Sequence, residues 1–94
     1  MLVLEIPITQ EDIDRGQQRS YSLCPLALAV TRLTGQETEV HCSRFLIFTP
    51  QKEGQGCEFK LDRAAKDFVH AFDSGDAVHP ITVIATMSPE NALA

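Results

Sequence analysis

TEVHCSRFLIFT, residues 38–49, is the stretch on which the fold turns. Its first half alternates, with Thr38, Val40 and Cys42 on one side and Glu39 and His41 on the other, the period-2 pattern of a half-buried strand. Its second half, Phe45-Leu-Ile-Phe48, is apolar on both sides, as in a strand held between two layers. No Gly or Asn marks a tight hairpin between the halves, so the stretch reads as one long strand bent near Ser43-Arg44. Pro50 to Gly56 is the clearest loop, and Cys57, Phe59 and Leu61 then alternate as its hairpin partner.

Outward from this centre, the other elements follow from their boundaries. Leu2, Leu4, Ile6 and Ile8 form one face of a first strand, and Pro7 places that strand at an edge or ends it. Thr9 is an N-cap for a short helix over 10–15, closed by Gly16. Residues 17–22 read as loop. Pro25 opens a second helix and Gly35 stops it, with Leu26, Ala29, Val30 and Leu33 as its stripe. Ala27 and Leu28 fall outside that stripe, so the helix needs cover on more than one side, from the first helix and its loop or from a second chain. Asp62 caps a third helix whose Ala65, Phe68, Val69 and Phe72 share one face, and residues 81–86 form a last strand.

The order β-α-β-β-α-β predicts an α+β domain of the ferredoxin-like plan: a four-stranded antiparallel sheet with helices on one face. The 94 residues suit one domain over 1–88, with a tail at 89–94.

Bulk properties narrow the function classes. Thirteen acids against 8 bases give a net charge of −5, which disfavours binding to a phosphate backbone. No segment approaches a membrane span, and three cysteines without paired spacing suit free thiols in a reducing, cytoplasmic setting. No P-loop, dinucleotide fingerprint or metal-ligand spacing is present, so neither cofactor nor metal is expected. His41 and Cys42 would point to opposite faces of a strand, and His70 lies on a polar helix face. Glu11, Asp12 and Asp14 at a helix start, and Asp73 and Asp76 at a helix exit, read as capping and turn residues rather than a catalytic dyad. An RNA-recognition sheet would carry aromatics on a basic face, where Glu58 and Thr82 stand instead.

Three short stretches, Asp12-Ile13-x-x-Gly16, Cys24-Pro25-x-Ala27-Leu28-Ala29-x-x-Arg32 and Phe72-Asp73-x-Gly75-x-x-Val78-x-Pro80, resemble a family of small uncharacterised bacterial and phage proteins. That resemblance implies a phage or mobile-element context, in which small proteins often disable a host or defence component. It implies no catalytic residues.

The expected function is a non-enzymatic, protein-binding and self-associating module, a homodimer, with Leu28, Phe45, Ile47 and Ile84 as interface candidates. The alternatives are a thiol enzyme or redox sensor centred on Cys24, at a helix N-terminus where the dipole favours a thiolate, and a small-molecule or nucleotide binder between subunits.

Overall fold

A computed structural model describes residues 2–41, 43–48 and 56–87. The expected loop at 50–56 (up to Gly56), the tail at 89–94, Cys42 and the side chains of Phe48 and Cys57 lie outside the described residues. The chain runs β1 (Leu2–Ile8), α1 (Gln10–Arg15), α2 (Pro25–Thr34), β2 (Glu37–Val40), β3 (Arg44–Phe48), β4 (Gly56–Leu61), α3 (Arg63–Asp73) and β5 (Ile81–Met87). The class is α+β, as expected, but the sheet has five strands in the order β1-β5-β4-β3-β2, every neighbouring pair antiparallel.

The extra strand comes from the stretch read as one. Strands β2 and β3 pair as an antiparallel hairpin, with Val40 opposite Phe45 and Thr38 opposite Ile47. The His41 N–H donates to the Arg44 carbonyl at 2.8 Å, closing the turn without Gly or Asn. Inward positions are even in β2 (Thr38, Val40) and odd in β3 (Phe45, Ile47). A single strand keeps one parity, so this switch was the mark of a turn. The ferredoxin-like arrangement also gives way, because β1 sits at an edge and pairs only with β5.

One face of the sheet is the interior: Ile6 and Ile8, Val83 and Ala85, Phe59 and Leu61, Phe45 and Ile47, and Thr38 and Val40 are all buried. The Phe45 and Phe59 rings stack across the β3–β4 pair at 5.0 Å, an offset aromatic contact beyond simple area burial. Helix α2 fills the hollow. It packs against both β1 and β2, the two outermost strands, which requires the sheet to curl around it. Burying Leu26 and Val30 completely contributes roughly 1.5–3 kcal/mol each.

The buried positions of α2 are Pro25, Leu26, Ala27, Ala29 and Val30, all in its first six residues. The helix is therefore deep at its start and emerges at its end, leaving the expected stripe residue Leu33 45% exposed. Cover for its outer side comes from α1, which packs on α2. Two contacts fix that packing. A Cβ on Gly16 would lie 2.5 Å from the Pro25 ring, so only glycine allows the approach. Asp12, 6% exposed, completes a capping box with Thr9 and accepts from the Arg32 guanidinium at 2.9 Å. Arg32 also donates to the Pro7 carbonyl at 3.0 Å, tying β1, α1 and α2 together. Gly35 ends α2 at a φ of +71°, a left-handed position where its N–H reaches the Thr31 carbonyl. Helix α3 lies against β4 and β5, capped by Asp62, with Ala65, Phe68 and Val69 buried and Phe72 half-buried.

Burial pushes the Asp12 carboxyl up, but the hydrogen bonds from Arg32 and from Thr9 outweigh it, and it sits below its ordinary value. A carboxyl depressed on folding stabilises above its unfolded pKa of about 4, and that contribution disappears as pH falls through the lower folded value. Asp12→Ala should cost about 1–3 kcal/mol at pH 7 by urea denaturation, with the gap to wild type closing progressively below about pH 4.

Candidate functional site

The stretch between α1 and α2 is a closed loop. The Gln17 N–H donates to the Leu23 carbonyl at 2.8 Å, and the Leu23 N–H donates to the Ser20 hydroxyl at 3.0 Å, so its ends meet as in a compact surface loop. It is tied at two further points. The Asp73 carboxylate, at the end of α3, accepts from the Arg19 N–H at 2.9 Å. The Tyr21 carbonyl accepts from the Val40 N–H at 2.7 Å, which satisfies that donor on the outer edge of β2. Arg19 is the one non-glycine among the described residues with positive φ, at +57°. The bond to Asp73 holds this uncommon conformation in place.

Beneath the loop is a cleft of about 250 Å³, lined by Arg19, Ser20, Tyr21, Cys24, Val40, His41, Val69 and Asp73. Three separate segments, 19–24, 40–41 and 69–73, supply these residues, and the tethers just described hold them together. The Tyr21 and His41 rings lie 4.8 Å apart at an angle of 30°, and His41 Nε2 is 3.5 Å from a Glu39 carboxylate oxygen. Tyr21 is nevertheless 63% exposed, and neighbouring Leu23 42%.

Cys24 is the sequence candidate that falls within the cleft. It is the N-cap of α2, and its Sγ accepts from the Ala27 N–H at 3.4 Å. At 3% exposure the thiol is almost sealed. Burial pushes it above its ordinary value, the nearby Asp73 charge pushes the same way, and the N–H groups of Ala27 and Leu26 only partly oppose them. The expectation of a dipole-favoured thiolate is thereby reversed in direction, since a helix start contributes about 0.3–1 kcal/mol and desolvation of an anion considerably more. Cys24 is a buried thiol whose sulfur caps α2.

The other candidates are dispersed. Phe45 and Ile47, expected at an interface, are interior and unavailable at the surface. Leu28 is half-buried on α2, beside Glu11, Asp12 and Arg15. Ile84 is half-buried on the outer sheet face, opposite Glu5. That face is mixed, with Val3 and Leu46 among Arg44, Glu58 and Lys60. His70 is exposed on α3, and His79 lines a separate shallow groove with Phe68, Val78 and Ile81. Among the described residues no group of three or more His, Cys, Asp or Glu is arranged to hold a metal ion, and no helix is long and apolar enough to cross a membrane. Sequence reading missed Arg19, Tyr21 and Asp73 as a unit, and no local pattern joins residues 54 apart. Away from the cleft, Asp12 pairs with Arg32 and Gly16 lies against Pro25, while Asp73 bonds to Arg19 in the loop before Cys24. Comparison with protein-family models, curated proteins and solved structures finds no match.

In the native protein Cys24 should react with iodoacetamide at least about tenfold more slowly than in urea-unfolded chain, read by peptide mapping so that Cys42 and Cys57 are scored separately. Equal rates in both states would show an accessible thiolate.

Proposed function

We propose that the protein is a non-enzymatic binding module that docks another protein on the rim of the Cys24 cleft. The observation that carries this reading is Tyr21, an aromatic side chain 63% exposed yet held by its main-chain bond to Val40 and its ring contact with His41. Interface hot spots favour Tyr and Arg, and a ring fixed beforehand loses little entropy on binding. Around it stand exposed Leu23 and Arg19, above a small floor of Val40, Val69 and Cys24. Such a surface suits one apolar side chain of a partner seated in the cleft, with Tyr21 closing over it. In the setting implied by the family resemblance, that partner is a component of the host cell or of its defences.

A second reading has one observation in its favour: Cys24, His41 and Asp73 line the same cleft, the residue types of a thiol nucleophile, base and orienting group. The raised, sealed thiol weighs against it, and the labelling comparison above decides between the two.

Tyr21→Ala should weaken capture of the partner about 30-fold or more while leaving the fold intact, as a hot-spot truncation of about 2 kcal/mol does. The measurement is affinity capture from host lysate with wild type and variant side by side, followed by a direct titration of the captured protein. Equal titration curves for the two would overturn the reading.

A further inference from the structure

Which main-chain groups of β1 are free follows from two sets of hydrogen bonds. The Pro7 carbonyl accepts from Arg32, a residue of α2, so it points away from β5. Ile84, opposite Glu5 in the register, spends both its main-chain groups on Asp62, accepting from the Asp62 N–H at 3.1 Å and donating to Oδ2 at 3.2 Å. Its backbone therefore faces the β4 side, and that of Glu5 faces the open edge. Main-chain direction alternates along an antiparallel strand. Val3, Glu5 and Pro7 thus turn outward, while Leu4 and Ile6 bond to β5.

The two edges of the sheet are closed differently. On the outer side of β2 the Val40 N–H is met by the Tyr21 carbonyl. On β1, among the described residues, only the Pro7 end is met, by Arg32, and Pro7 has no N–H to satisfy. Val3 and Glu5 remain, on an exposed stretch where the Val3 side chain is 51% exposed. An open strand edge carrying a β-branched residue is a template for another strand.

We propose that this edge pairs with the same edge of a second copy of the chain, antiparallel about a two-fold axis at Leu4. In that register Val3 exchanges two main-chain hydrogen bonds with Glu5 of the partner subunit, and the two-fold repeats them. Charge selects this register over its neighbour. A two-fold axis at Glu5 would set like charges directly opposite and would spend Val3 on a proline, which lacks a donor. The edge therefore matches itself in donors and acceptors, and this register keeps the two Glu5 side chains from standing directly opposite each other. This inference deepens the binding-module reading by naming one partner, but it uses the opposite edge of the sheet from Tyr21, so the two fail separately.

The test is solution mass by light scattering across concentration, for the full chain and for Val3→Pro. The substitution removes an outward N–H and leaves the β1–β5 ladder untouched, so it should fold with an unchanged urea midpoint measured on dilute protein. Wild type should move from one chain mass toward two as concentration rises, and more readily at higher salt, which screens the repulsion of two chains of net charge −5. Val3→Pro should stay at one chain mass where wild type is half paired. Wild type remaining monomeric up to about 1 mM, or the variant pairing equally, overturns the proposal. If the variant does not fold, amide exchange of wild type decides: protection of Val3 and Glu5 that grows with concentration supports the pairing, and protection independent of concentration refutes it. Neither result bears on capture through Tyr21.

Discussion

The ion pair of Asp12 with Arg32 is the constraint on which the rest of the molecule depends. A carboxylate 6% exposed demands partners, and it finds them in two elements at once: the Thr9 N–H at the start of its own helix, and the Arg32 guanidinium at the far end of α2. Because Arg32 also holds the Pro7 carbonyl, the first strand and both early helices share one fastening. Such pairs contribute less to net stability than their geometry suggests, and their removal is costly chiefly because a charge is left stranded. What the pair supplies here is placement. With α1 set against α2, part of the outer side of α2 is covered within the chain, and the curled sheet encloses its other side.

That placement propagates to the cleft. Gly16 against Pro25 brings the end of α1 to the beginning of α2, and the intervening segment has to loop outward. Its course is then set by Asp73 at one tether and Val40 at the other, which leaves the Tyr21 ring on the surface and Cys24 beneath it. The electrostatics of Cys24 follow from the same geometry. The helix start and the N–H groups of Leu26 and Ala27 favour the thiolate, whereas burial and the Asp73 charge oppose it, and burial is the largest of these effects.

Much of this was legible where the physics is local. Thr9, Cys24-Pro25, Gly35 and Asp62 mark helix ends through groups within a turn of the cap, and each does so in the structure. The alternation of β1 and the stripe of α3 depend on one face meeting one core, and both are found. The hairpin of β2 and β3 was missed because the segment joining them contains no Gly or Asn, and because Phe45 to Phe48 are apolar on both sides, which hides the shift of parity between Val40 and Phe45. Sheet order is a matter of long-range pairing, so the edge position of β1 had no local signature beyond Pro7. The placement of Phe45 and Ile47 inside and Leu46 outside follows from that same shift of parity. Arg19 and Asp73 meet only through the tertiary fold, and their cleft was invisible for that reason.

Through these tethers the loop from Gln17 to Leu23 is a fixed part of the molecule, not a loose connection, and it holds the surface around Tyr21 ready. Native-state amide hydrogen exchange of Arg19 and Val40 tests it most directly, since each N–H reports one tether. Both should be protected, with Val40 approaching the amides of the inner strands. Free exchange at both positions in an otherwise protected protein would contradict it.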